Sequence, residues 1–180
     1  SYDTTASQAS WFFHVLARRD DWQVRLREEL AGVALEDIDT AELPQLRAFI
    51  CEIERMHPSG LFFPRVALED IEYGGYTIPK DTPVFYCPYL THRDPAEYPN
   101  PNTFDPDRWI SGDARTATLV GFGGGPRVCL GKAFAQTQLR VMTRALLVQY
   151  RLEPDPTCEP SYQGVPVYHP VGSRVRFVAA

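Results

Sequence analysis

Proline decides where regular structure can run in this chain. All sixteen prolines of the 180 residues sit between Pro44 and Pro170. Each removes a backbone donor and bars a helix interior. The two longest proline-free windows are the residues before Pro44 and those between Pro126 and Pro154.

In the first window apolar residues recur at helical spacing. Trp11, Val15 and Leu16, with Phe12 and Phe13 beside them, predict a helix over Asp3 to Arg19. Asp20 and Asp21 offer a cap for a second amphipathic helix carrying Trp22, Leu26, Glu29 and Leu30, which Gly32 ends. A third helix is predicted from about Ala41 to Met56, with Pro44 in its first turn and His57-Pro58-Ser59-Gly60 as its stop. Phe62 to Leu68, Ile71 to Ile78 and Thr82 to Tyr86 then read as short strands, with Gly74-Gly75 as a hairpin turn. Pro88 to Gly125 is a long irregular stretch, which a compact domain carries for a functional reason. The second window predicts a helix from Leu130 to Tyr150 with Phe134, Leu139, Met142 and Leu146 as its apolar positions. Two short strands follow within Tyr162 to Val178. No repeat or linker divides the chain, which reads as a mainly α unit with small β-sheets.

Composition narrows the function. Hydrophobic residues make up 44% and aromatics 12%, enough to bury a core. A net charge of −5 argues against a general nucleic-acid-binding surface. No apolar run approaches the ~20 residues of a membrane helix, although this leaves membrane attachment undecided. The chain begins with Ser and shows no signal-peptide pattern, so it reads as starting inside a larger unit. Cys51, Cys87, Cys129 and Cys158 include no C-x-x-C pair, which argues against a zinc or redox-pair site. Reduced thiols and a cytoplasmic setting are expected.

The most informative stretch is Phe122-Gly123-Gly124-Gly125-Pro126-Arg127-Val128-Cys129-Leu130-Gly131. Its glycines do not make a phosphate loop. Gly125 and Gly131 enclose five residues where a Walker loop needs four, and Ala133 follows Lys132 where Ser or Thr belongs. A dinucleotide fingerprint begun at Gly121 meets Pro126 where its third Gly should stand. Two readings of Cys129 remain. One is a buried structural cysteine after a Gly-rich turn. The other is a metal ligand at the mouth of a helix, where free N–H groups and the helix dipole stabilise a thiolate. Gly131 would then let a flat ligand approach, and Arg127 could pair with a carboxylate on it.

Phe122 to Gly131 match F-x-x-G-x-R-x-C-x-G at every fixed position, and this resembles the heme-binding signature of the cytochrome P450 family. The resemblance implies that Cys129 is the axial thiolate of heme iron. It also implies that Arg127 meets a heme propionate and that Phe122 packs near the thiolate. Three further motifs resemble the same family, in the right order. Glu52-Ile53-Glu54-Arg55 before His57-Pro58 is similar to its K-helix motif, and Phe104-Asp105-Pro106-Asp107-Arg108-Trp109 to its F-x-P-x-R-[FW] motif. Taken alone, Glu52 and Arg55 would be a surface pair three residues apart on a helix. The resemblance makes Glu52, Arg55 and Arg108 a buried structural triad.

Asp3-Thr4-Thr5 resembles the end of the family's I-helix motif, with Ser1 where Gly is usual. It implies that Asp3 and Thr4 are the acid–alcohol pair that supplies protons for oxygen activation. Without the other motifs these residues would read as helix caps. Arg65 and His92 align with further propionate partners. Leu61 to Phe63 and Val165 to Val167 fall where the family lines its substrate pocket, though core packing explains apolar residues equally well.

The resemblance thus implies residues 1–180 as the C-terminal part of the cytochrome P450 fold, with the helices before the I-helix motif absent. The implied activity is a heme b (iron protoporphyrin IX) monooxygenase that inserts one oxygen atom from O2 into a lipophilic substrate. Its electron donor would be a ferredoxin or flavoprotein reductase, with Lys132, Arg140 and Arg144 as a docking cluster. The alternatives are a P450-like isomerase or peroxygenase, against which the Asp3-Thr4 pair speaks, and a non-catalytic heme-binding or interaction fragment.

Overall fold

The computed structural model describes residues 2–112, 114, 118–158 and 160–180. Ser1, which stands where the resembling motif usually has Gly, lies outside the described residues. Helix α1 (Tyr2–Leu16) and α2 (Asp20–Leu30) lie in the first proline-free window, and α3 (Pro44–Met56) starts at the proline that closes it. Strands β1 (Phe63–Val66), β2 (Ile71–Tyr73), β3 (Tyr76–Ile78) and β4 (Pro83–Tyr86) follow. Two one-turn helices come next, α4 (Pro88–Thr91) and α5 (Arg108–Ser111). The second window holds α6 (Lys132–Leu147). Strands β5 (Tyr150–Pro154), β6 (Ser161–Gln163), β7 (His169–Val171) and β8 (Val175–Ala179) end the chain.

All sheets among the described residues are two-stranded and antiparallel: β1 with β4, β2 with β3, β5 with β8, and β6 with β7. The β2–β3 hairpin turns at Gly74-Gly75, both at positive φ (59° and 81°), as a tight two-residue turn requires. No helix among the described residues is long and apolar enough to cross a membrane.

Three details differ from the sequence reading. Asp20 and Asp21 sit inside the first turn of α2 and do not cap it; Asp21 instead pairs with Arg19 at 3.0 Å. The last helix ends at Leu147, and Tyr150 opens β5, a strand the periodicity did not announce. The buried face of α6 is Ala135, Leu139, Thr143 and Leu147, an i, i+4 row. Phe134 and Met142 lie off that row and are exposed.

The main core gathers Trp11, Phe12 and Leu16 of α1, Trp22, Leu26 and Leu30 of α2, Phe49 and Ile53 of α3, and Leu139 and Leu147 of α6. Gln23 ties this core to β5 without leaving a polar group unpaired. Its side chain donates to the Leu152 carbonyl at 2.8 Å and accepts from the Leu152 N–H at 2.8 Å. A smaller cluster of Ala48, Cys51, Tyr98, Trp109 and Leu119 sits on the other face of α3.

Between these clusters lies a buried polar centre. Glu52 and Arg55 are both fully buried. Arg55 donates Nη2 to Glu52 Oε1 at 2.7 Å and Nε to Oε2 at 2.8 Å. Its Nη1 and Nη2 also reach the carbonyls of His92, Pro101 and Thr103. Glu52 further accepts from Arg108 Nε, the Asp105 N–H and Trp109 Nε1. The triad expected from the motifs is present, with Trp109 as a fourth member. It explains the irregular stretch: carbonyls that no helix or sheet satisfies are bound by two guanidinium groups.

Candidate heme-thiolate site

The loop before α6 is built by backbone bonds. The Cys129 N–H donates to the Phe122 carbonyl at 2.9 Å, and the Val128 N–H to Gly125 at 3.1 Å. Gly123 and Gly125 adopt φ of 73° and 61°, where a side chain is strained. The loop is anchored from behind by His92, whose Nε2 accepts from the Val120 N–H at 2.9 Å.

Cys129 stands just ahead of the N-terminus of α6, and its carbonyl accepts from the Lys132 N–H at 3.3 Å. Its thiol is exposed on the wall of a cavity of about 840 Å³. The sulfur makes no hydrogen bond among the described residues, so it is not the buried structural cysteine that composition alone allowed. The same cavity is lined by Phe122, Arg127 and Gly131 from the loop, by Arg65 from β1, and by Thr4 and Thr5 from α1. Phe62, Phe63 and Val165 to Val167 add an apolar wall.

Six of the eight residues singled out from the sequence therefore meet at one cavity: Thr4, Arg65, Phe122, Arg127, Cys129 and Gly131. Two do not. Asp3 is exposed and outside the lining. His92 is fully buried behind the wall. Its Nε2 accepts from Val120, so the ring proton is on Nδ1, which faces the Arg55 carbonyl at 3.2 Å. Burial lowers its pKa to about 4. Both ring nitrogens are engaged, which leaves His92 no donor for a propionate and makes it a buttress of the loop.

The residues present fit a heme. A Cβ built on Gly131 would approach only the Cys129 sulfur, at 3.8 Å, so the glycine leaves a flat opening beside the thiol. Arg127 is exposed toward the opening, and Arg65 lies over the Tyr86 ring at 5.0 Å with Nη1 on its neighbour's carbonyl. Two exposed guanidinium groups and one thiol on an otherwise apolar wall suit an apolar plate with acidic edges and a soft metal ion.

Gln8 and Ser59 also line the cavity, and the sequence reading missed both. Gln8 Nε2 donates to the His57 carbonyl at 2.6 Å and to Ser59 Oγ at 3.0 Å. Ser59 Oγ donates in turn to the Thr4 carbonyl at 2.9 Å. The chain of bonds pins the first turn of α1 against the turn after α3. The available signal was spacing, since Gln8 stands one helical turn after Thr4 on the same face.

The chain belongs to the cytochrome P450 family: the family's sequence profile, "Cytochrome P450", matches residues 1–170. Among curated relatives, the chain is 37% identical over 161 residues to the probable cytochrome P450 4s3 of Drosophila melanogaster, covering 88% of this chain and 32% of that one. It is 34% identical over 161 residues to cyclooctatin synthase of Streptomyces melanosporofaciens, covering 86% and 35%. Among solved structures it resembles retinoic acid-bound cyanobacterial CYP120A1, with a TM-score of 0.91 and 29% identity over 99% of this chain and 43% of that one. A zebrafish cytochrome P450 with progesterone gives a TM-score of 0.85 and 27% identity, over 98% and 42%. The chain spans about a third of the length of the curated relatives it matches.

Proposed function

We propose that this chain is the C-terminal portion of a heme-thiolate monooxygenase, acting with the remainder of its domain on a lipophilic substrate. The observation that carries the reading is the Cys129 thiol opening into the same apolar cavity as Thr4, with arginines at its edge. Cys129 would hold the iron of heme b, and Arg127 and Arg65 its propionates. Phe122 would cover the sulfur, and Gly131 would admit the ring. When bound, the heme supplies dioxygen activation, which a thiolate ligand favours by donating electron density.

The chain's own residues do the rest. Thr4 lines the cavity and would offer its hydroxyl there, and Asp3 beside it on α1 would pass protons inward from solvent. Gln8 and Ser59 hold that helical turn in place. Phe62, Phe63 and Val165 exclude water and favour an apolar substrate. The names of the relatives fit this, since cyclooctatin synthase and pentalenene oxygenase are among them.

Electrons would come from a ferredoxin or flavoprotein docking near Lys132. Arg140 and Arg144 are less free to take part than their charge suggests. Arg144 Nε donates to the Val33 carbonyl and Arg140 Nη1 to those of Ile38 and Asp39.

The test is the ferrous–CO difference spectrum of the heme-loaded protein and of its Cys129→Ser variant. A strongly red-shifted Soret band that the variant loses is expected. Its absence from properly loaded protein would overturn thiolate ligation, and with it the monooxygenase reading.

A further inference from the structure

Glu54 has been given no role in the site described so far. It is 3% exposed, and its Oε1 has no hydrogen-bond partner among the described residues. A buried carboxyl left unpaired costs several kcal/mol if ionised, so it either stays neutral or meets a ligand. Its carboxyl lies against the Gly121 backbone, where an added Cβ would meet Oε1 at 3.2 Å. Glu54 lines both the large cavity and a second one of about 230 Å³.

The smaller cavity has a different character. Its polar lining is Arg47, Cys51, Glu54, Lys132, Gln136 and Arg140. The side chains of Arg47, Lys132 and Gln136 make no hydrogen bond or ion pair among the described residues, so their donors are unspent. Arg140 uses Nη1 on the Ile38 and Asp39 carbonyls and keeps the rest of its guanidinium. Arg47, Lys132 and Arg140 share this cavity with one carboxyl, a net positive lining that repels a metal cation or an ammonium group. Ile50 and Leu119 complete the wall, and the unspent donors between them favour a polar guest. What satisfies every group is a small ligand made of acceptors.

We propose that this smaller cavity binds a free inorganic oxyanion of the sulfate and phosphate class, with Arg47, Lys132 and Gln136 donating to it and the Glu54 carboxylic acid donating from the cavity floor. An oxyanion presents acceptors in every direction and takes charge-assisted bonds from both cations. The site needs no heme, and its failure would leave the proposed monooxygenase reading untouched.

The arrangement makes binding pH-dependent. Burial raises the Glu54 carboxyl to about 7, with Lys132 opposing the shift. The groups around it are Lys132 and Arg140 from α6, Arg47 and Cys51 from α3 itself, and His92 and Tyr98 from the segment after α4. The Cys51 thiol is pushed up to about 12 and His92 is held near about 4, so both are neutral from pH 6 to pH 8. Glu54 is the group that changes. Neutral at pH 6, it donates to the anion; ionised at pH 8, it repels it.

The experiment is calorimetric titration of the heme-loaded protein with sulfate, at pH 6 and pH 8 and constant ionic strength in chloride. Sulfate keeps its charge across this range. Saturable binding at pH 6 is expected, weakening about tenfold at pH 8 as the protonated fraction of a group near pKa 7 falls. Glu54→Gln keeps a neutral donor and should bind equally at both pH values. Lys132→Met should weaken binding about tenfold at pH 6. No saturable binding at pH 6, no weakening at pH 8, or a pH dependence that survives in Glu54→Gln would each overturn the proposal.

Discussion

Arg55 and Glu52 meet fork to fork inside the protein, with Nη2–Oε1 at 2.7 Å, Nε–Oε2 at 2.8 Å and neither side chain exposed. A pair this buried has no solvent to fall back on. Its value lies in what else it holds: Arg55 binds three carbonyls of the irregular segment, and Glu52 takes Arg108, Trp109 and the Asp105 N–H. The segment that carries the thiol loop is therefore positioned by two residues of α3.

Breaking that pair is costly. Glu52→Ala leaves Arg55 and Arg108 as buried, uncompensated cations. A loss of ~3–5 kcal/mol is expected, seen as a lower midpoint in urea unfolding with the slope unchanged. A loss under ~1 kcal/mol would mean that water reaches the centre.

Acid should destabilise the fold before its carboxylates protonate. Burial lowers His14 to about 4, His57 to about 3 and His92 to about 4. The unfolded chain binds these protons near pH 6.5 and the folded chain does not. Their contribution is complete above pH 6.5 and is lost as pH falls toward 4. His92→Gln, which keeps a donor and an acceptor, should lower the slope of stability against pH in this window by up to one proton.

Glu54 acts in the opposite direction. Its carboxyl is raised from 4.5 to about 7 by burial, so the folded chain holds a proton that the unfolded chain releases. That contribution is present below pH 4.5 and is lost as pH rises through 7. Glu54→Gln should therefore gain stability relative to the parent between pH 5 and pH 8 in denaturant titrations. A difference that does not change with pH would show that Glu54 is ionised in the fold.

Gly60 is required by space. A Cβ there would lie 2.3 Å from Phe63 Cζ, closer than any packing allows. Phe63 stacks on Tyr86 with centroids 5.2 Å apart, so its ring has little freedom to retreat. Gly60→Ala should cost ~1–3 kcal/mol and shift the Phe63 and Tyr86 aromatic resonances in NMR spectra.

The helices were legible because their signals are local. Trp11, Leu26 and Leu30 sit at spacings that only a helix buries on one side, and Pro44 and Gly32 punctuate the helices. The thiol loop was legible because glycines and a cysteine at fixed offsets can be read without knowing what lies across from them. Strand β5 was not, since Tyr150 to Pro154 becomes a strand through pairing with Val175 to Ala179, far away in sequence. The α6 face was misjudged for the same reason: Phe134 is apolar by composition, yet it faces the cavity rather than the core.

What the sequence by itself determined was the inventory: a cysteine ahead of a helix, two arginines, a threonine near the start, and an E-x-x-R pair. The tertiary structure decided which of these share a space. It brought Thr4 to the cavity of Cys129 and left Asp3 outside. It turned His92 inward to hold the loop. It also buried Glu54, whose Oε1 has no hydrogen-bond partner among the described residues. These outcomes depend on burial and hydrogen-bond pairing between segments distant in sequence, and local periodicity does not encode them.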